Sequence, residues 1–373
     1  ITTSDGRVVV NSGMGFEGPL HRAKYDAVDG SPIRSVILTQ GHYDHVGGLP
    51  VLVDEGTDLI AQANHGVWRN DNQRLEAFRS RNSAFAWIDA ILAAMEHTRA
   101  LGVEAAPAEI PEPTVLVGER LELTVGDREL VLIATPGGET FDSLVIWLPQ
   151  TGTLLSGNLT GPLFGHVPNL VTIRGDRYRD VLTYIDSLEI VKELRPERLL
   201  TGHFDPIEGA DRIAEEVEAM QEAMHWVHDR TVDGMNAGDD VWELMRTIRV
   251  PDHLDVGEGY GKTPWNVRAI WENYAGWFHH RSTTELYGVA PLATAPDLVA
   301  AAGAEPLVAA AQAHLDGGRP VEALQLTDVV LAVERSHAGA KAVAVAAHEA
   351  LLAETSNFGE SAWLRRAAQK LAR

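Results

Sequence analysis

Residues 39–48 read TQGHYDHVGG and follow directly on the apolar run SVILT (35–39), which suits a buried strand. Loops at strand ends commonly display reactive groups, because the strand fixes them while the loop leaves them reachable. His42, Asp44 and His45 fall within four residues, so one turn can aim all three side chains at one or two ions. Gly41, Gly47 and Gly48 let the backbone approach closely. Gln40 stands where a further histidine would complete the pattern. Alone, His-x-Asp-His is a moderately specific signal, and a polar loop with surface histidines would read the same way.

Two later segments favour the metal reading. In ATPGGETFDS (134–143) Glu139 follows a strand and a Pro-Gly turn, and in LLTGHFDP (199–206) His203 follows another strand. Around them lie short β-branched runs, RVVV (7–10), TVLV (114–117), ELVLIA (129–134) and LVIWL (144–148), with helical stretches expected near 69–101 and 177–194. Strands interleaved with helices point to sheets covered by helices, ending near RLLTGHFDP (198–206). The segment FAWIDAILAAM (85–95) is too short to span a bilayer and reads as a buried amphipathic helix.

From about Ala210 the pattern becomes helical, beginning with ADRIAEEVEAMQEAMHWVHDRTVDGM. After a glycine-rich interval and the aromatic segment IWENYAGWF (270–278), the last seventy-odd residues are alanine-rich. They are broken at HLDGGRP, ERSHAG and TSNFGES into four helices. Such pairs resemble tetratricopeptide-like hairpins, without a clean 34-residue period. They are expected to serve packing or dimer formation.

Composition narrows the function classes. The 373 residues suggest two domains, and 45% apolar with 23% charged residues is ordinary for a globular protein. With 31 basic against 53 acidic residues, the net charge of -22 disfavours nucleic-acid and membrane partners. The lack of cysteine removes disulfides, thiolate ligands and a cysteine nucleophile, so any metal must be held by His, Asp, Glu or amide oxygen. It fits an oxidising or a reducing compartment; a cytoplasmic location is the expectation, with the periplasm open. The chain opens ITTSDGRVVV with no initiator Met, basic n-region or apolar h-region, so its native start is expected to lie elsewhere.

The order strand, x-H-x-D-H-x-G-G, T-P-G-x-E, S-G-N after a strand, then G-H before a long helix resembles the metallo-β-lactamase superfamily. The glutamate of TPGGE is similar to the alkylsulfatase branch, since most other branches place a histidine there. YGKTPWNVRAIWENYAGWF and the closing alanine-rich helices resemble that branch's dimerisation domain. The resemblance implies an α+β fold: an αββα sandwich over 1–210, then an all-α dimerisation domain over 211–373. A sterol-carrier-like third domain, which many members carry, is not expected within these residues.

The resemblance further implies one metal at Gln40, His42 and Glu139 and another at Asp44, His45 and His203, with Asp44 also orienting the attacking water. Where the family supplies a bridging carboxylate, LLSGN offers only Gly157 and Asn158. Gln40 is neutral and harder than imidazole. Zinc at one or two positions is expected, with low occupancy, iron or manganese, or a single-ion enzyme left open. Arg174 matches an arginine facing the substrate's sulfate, although pairing with Asp176 or Asp180 would explain it equally. His166 and Asn169, on the loop leading to it, are candidate pocket residues. His225 with His228, and His279 with His280, are expected to pack rather than chelate, and Trp265, Trp271, Tyr274, Trp277 and Phe278 to form a packing cluster or cap the site.

The expected activity is hydrolysis of a small organic ester, foremost an alkyl sulfate. Carboxylic esters, lactones or activated aryl ethers are alternatives, as is a non-catalytic partner subunit with a degenerate site. The expected partner is a second copy or a related subunit, docked through the helical domain.

Overall fold

The computed structural model describes residues 1–107, 109–171, 173 and 175–373. Among the described residues, eleven strands form two sheets. The first holds β1 (Thr2–Thr3), β2 (Gly6–Val10), β3 (Ile33–Ile37), β4 (Asp58–Gln62) and β5 (Val115–Val117), in that spatial order. Strands β2 to β5 run parallel, and β1 pairs antiparallel with β2.

The second sheet holds β6 (Arg120–Val125), β7 (Arg128–Ala134), β8 (Leu144–Leu148), β9 (Thr153–Gly157), β10 (Arg198–Thr201) and β11 (Ile207–Glu208). Here only β9 and β10 are parallel.

Side-chain alternation along the strands explains how the first sheet is covered on both faces. Val8, Ile37, Ile60 and Val117 pack against Val125, Leu130, Leu132, Leu144 and Ile146 of the second sheet. Their neighbours Val9, Val36 and Leu59 point the other way, into a cluster with Val46, Leu49 and Leu52. Those three residues lie in and just after the metal loop, so its apolar end is part of the core. The observed α/β unit followed by helices matches the expected fold class.

The chain divides into two compact units, Ile1–Tyr274 and Ala275–Arg373. The compact boundary thus lies well beyond residue 210. The helix Ala210–Ala237 buries Ile213, Val217, Met220, Met224 and Val227, and Gln221 donates to Ile185 O. In the helix Thr263–Ala275, Asn266 donates to Pro168 O and accepts from Leu170 N–H. Long-range bonds of this kind, which no local pattern reports, keep these helices with the sheets.

A second difference concerns residues 85–95. A helix does form at Ile88–Ala100, but it buries only Thr98, leaving Ile88 43% and Leu92 55% exposed. The apolar residues are long enough a run to read as core, yet Phe85, Trp87, Ile91 and Met95 are only half-buried.

In the second unit the helices Ala304–Asp316, Pro320–Val333, Ala338–Glu354 and Phe358–Ala372 follow the expected breaks, and successive helices pack together. Their core, including Ala311, Ala323, Ala340 and Ala347, is rich in alanine, which permits close helix approach. No single helix among the described residues is long and apolar enough to cross a membrane.

Candidate metal centre

Strand polarity brings the reactive loops to one edge. Strands β7, β9 and β10 run in the same direction, so the loops carrying Glu139, Asn158 and His203 leave the second sheet together. Three backbone bonds tie them to one another and to the metal loop: Leu144 N–H to Thr39 O (2.8 Å), Glu139 N–H to Asn158 O (3.2 Å) and Gly202 N–H to Gly157 O (2.9 Å). At Gly202 an added Cβ would lie 2.0 Å from Asn158 Oδ1 and 3.1 Å from His45 Cε1. Only glycine admits so close an approach. Gly41 is equally constrained, since its Cβ would lie 2.1 Å from Trp68.

A short helix, Tyr43–Val46, directs the loop's side chains. Asp44 Oδ2 lies 3.4 Å from both His45 Nε2 and His203 Nε2. The ligand atoms of Asp44, His45 and His203 lie within 4.8 Å of one another, and among the described residues these three form the cluster of metal-binding side chains. Two imidazole nitrogens and a carboxylate suit a borderline divalent cation such as zinc, manganese or iron. Thr39 Oγ1 lies 3.4 Å from His45 Nδ1, a weak contact on the ring nitrogen that faces away from Asp44.

Burial disfavours the charge on Asp44, but the hydrogen bonds of His203 and His45 outweigh it and hold the carboxyl far below the usual carboxylate range. Asp44 in turn raises His203 above its ordinary value, against the effect of that residue's own burial. The side chains of Asp44 and His203 are 37% and 38% exposed, whereas that of His45 is 3% exposed. The cluster is therefore open to solvent on the Asp44 and His203 side.

Beneath it lies a floor of amides. Buried Gln40 places Nε2 3.0 Å from His42 Nδ1, 3.0 Å from His45 Nε2 and 3.2 Å from Glu139 Oε2. Asn158 donates to Glu139 Oε2 at 2.7 Å and lies 3.3 Å from His203 Nε2. All seven anticipated ligands are thus in one neighbourhood, arranged as an open cluster over a buried, hydrogen-bonded floor.

The other anticipated residues are spread more widely. Arg174 lies outside the described residues. His166 Nδ1 accepts from Gly259 N–H at 2.9 Å, joining its loop to the 257–259 segment. Burial lowers its pKa, against a smaller opposing pull from Glu216. Asn169 is buried, and its backbone oxygen accepts from Arg179. Asp180 caps the helix Val181–Leu194 by accepting from Thr183 N–H, and Asp176 pairs with Arg79 at 2.9 Å.

His228 bonds Tyr274 and Asp229, and His279 lies 3.2 Å from Glu285. Trp271 is buried and Trp277 is exposed, with its ring against Phe278.

Sequence reasoning missed the support behind the loop. Asp142 Oδ2 accepts from His65 Nδ1 at 2.8 Å, and its other oxygen accepts from the Thr140 hydroxyl; both side chains of the pair are buried. On the same helix as His65, Trp68 meets His42 edge-on at 5.0 Å. Asp142 lay three residues from Glu139 as a weak hint, whereas His65, seventy-seven positions away, gave none.

The chain is similar to known proteins over both of its regions. Residues 241–373 match the alkyl sulfatase dimerisation family. A linear primary-alkylsulfatase of Pseudomonas sp. (strain ATCC 19151) is 24% identical over 339 residues, covering 85% of this chain and 63% of that protein. An (R)-specific secondary-alkylsulfatase of Pseudomonas sp. is 26% identical over 355 residues, covering 87% and 52%.

The structure of the stereoselective inverting sec-alkylsulfatase Pisa1 from Pseudomonas sp. superposes with a TM-score of 0.84 at 22% identity, covering all of this chain and 62% of that one. The chain therefore spans less than two thirds of the length of these relatives. Residues 1–203 match the metallo-beta-lactamase superfamily, and on that match, which takes in every anticipated metal ligand, the chain belongs to the metallo-β-lactamase superfamily.

Proposed function

We propose that the protein is a metal-dependent hydrolase that cleaves a small organic ester, foremost an alkyl sulfate, to an alcohol and hydrogen sulfate. The observation that carries this reading is the convergence of Asp44, His45 and His203 from two distant strand ends onto one solvent-open point. Superfamily membership implies a divalent metal ion, and the donor set fits one. When bound, the ion supplies an acidified water and electrostatic stabilisation of the developing charge.

The chain's own residues prepare that point. Asp44 stays ionised at neutral pH, held so by its two histidines, and can accept a hydrogen bond from the attacking water. Thr39 orients His45, while Trp68 and Asp176 border His42, the latter 3.9 Å from its Nε2. Buried His45 and Glu139 keep one side dry, so substrate must approach past Asp44 and His203.

The alkylsulfatase relatives support a sulfate ester as substrate, with Arg174 as the proposed anion contact and His166 and Asn169 as proposed pocket residues. The dimerisation-type region supports self-association, which we propose to be a homodimer. Zinc is the proposed ion.

The decisive experiment is hydrolysis of linear and secondary alkyl sulfates by zinc-, manganese- or iron-loaded protein, beside carboxylic ester, lactone and aryl ether panels. Turnover abolished by Asp44→Ala and His203→Ala is expected. No turnover on any panel by metal-loaded protein would refute the enzyme reading in favour of a non-catalytic subunit.

A further inference from the structure

His42 has two ring nitrogens, and the fold gives each its own surroundings. Nδ1 lies 3.0 Å from Gln40 Nε2 and 3.4 Å from Glu139 Oε2, within the neighbourhood of the anticipated ligands. Nε2, on the other side of the ring, lies 3.9 Å from Asp176 Oδ2. The Asp176 side chain is only 5% exposed, so its charge needs partners inside the protein. Its Oδ1 pairs with Arg79 at 2.9 Å, while Oδ2 is the oxygen that approaches His42.

A closed circuit of contacts fixes this arrangement. Arg79 lies over Trp68, 5.5 Å from the ring centre, and Trp68 meets His42 edge-on at 5.0 Å. The segment bearing Asp176 is held from two sides. Arg177 pairs with Asp71 on the helix His65–Asn82, and Asn273 on the helix Thr263–Ala275 donates to Arg179 O at 3.1 Å. The carboxylate is thus placed by the backbone around it.

A neutral imidazole that ligates through Nδ1 must carry its hydrogen on Nε2. A carboxylate on that side stabilises this form and makes the other nitrogen a better donor to a cation. At 3.9 Å the pair is beyond direct hydrogen-bond length, but in a buried site the attraction still acts across that distance.

We propose that Asp176 is a positioning residue for the metal centre: it holds the Nε2 side of His42, so that Nδ1 is presented to a cation beside Glu139. The proposal deepens the proposed function and rests on the reading of His42 as a metal ligand.

The test is zinc affinity, measured on the whole protein by competition with a chromogenic chelator, with melting to show that each variant is folded. Asp176→Ala should weaken zinc binding about 10-fold to 100-fold, and the near-isosteric Asp176→Asn should weaken it in the same direction. In a His42→Ala background either substitution should change the affinity by less than about twofold, because Asp176 acts through His42. Asp71→Ala, which cuts the neighbouring exposed pair to Arg177, should also change it by less than about twofold.

Unchanged affinity in folded Asp176→Ala or Asp176→Asn protein would overturn the proposal, as would an equal loss with and without His42. A loss in Asp71→Ala matching that in Asp176→Ala would overturn it too, since the effect would then belong to the whole segment. His42→Ala protein with unchanged zinc affinity would overturn the reading of His42 as a ligand, and this proposal with it, while leaving the hydrolase reading intact. No bound ion in the unaltered protein would defeat both.

Discussion

Asp142→Ala tests whether the metal loop is held from behind. Asp142 is fully buried and accepts from His65 and Thr140. Its removal leaves an imidazole N–H and a hydroxyl inside the protein with an acceptor missing, at roughly 1–3 kcal/mol for each group. Breaking a buried pair by deleting one partner costs about 3–5 kcal/mol in comparable cases. Both routes agree on about 4 kcal/mol, which corresponds to roughly 10 °C in the melting of a unit of this size.

The loss should extend to function, because the same helix carries Trp68, which packs on His42 and leaves no room for a side chain at residue 41. Metal affinity should fall about 10-fold to 100-fold, as it does when groups supporting a ligand are removed. The assay is urea unfolding of the Ile1–Tyr274 unit for the single and double variants of His65 and Asp142, with zinc titration alongside. Single-variant losses that add within about 0.5 kcal/mol in the double variant would refute the pairing. A loss below about 1 kcal/mol for Asp142→Ala would refute the cost assigned to its burial.

Gly202→Ala should be damaging although the added group is one methyl, because its Cβ would fall 2.0 Å from Asn158 Oδ1. A loss of about 1–3 kcal/mol and weaker zinc binding are expected by melting and titration; unchanged values would show that the loops can separate freely. Stripping the metal with a chelator should abolish hydrolysis, and zinc, manganese or iron should restore it to different extents, measured by initial rates. Persistent activity in metal-free protein would contradict the mechanism.

His166 should impose a pH dependence on stability. Burial lowers its folded pKa below the ordinary 6.5. Above 6.5 it is neutral in both states and its bond from Gly259 contributes fully. As pH falls from 6.5 towards the folded value, the unfolded chain takes a proton that the folded chain resists, and stability is lost. His166→Gln should flatten this part of the denaturation-midpoint profile, and identical slopes would refute the assignment.

Much of the fold is legible locally. LVIWL is a strand with the expected ends, and RVVV, TVLV and ELVLIA shift by a residue or two. The breaks in the alanine-rich region mark helix ends because Gly317 and Gly318 interrupt the backbone and Asn357 accepts from Glu360 N–H to cap the next helix. Residues 88–100 show the opposite case: their apolar content suggests burial, and burial depends on what lies opposite.

The sequence by itself determined the metal loop, the alternation of strands that makes a two-sheet core, and the chemical types available to hold an ion. Those follow from spacing along the chain, where neighbours are fixed by covalent geometry. Only the tertiary structure decided that Asp44, His45 and His203 converge, that the helices between Ala210 and Tyr274 stay with the sheets, and that His65 meets Asp142. Each of these joins residues far apart in sequence.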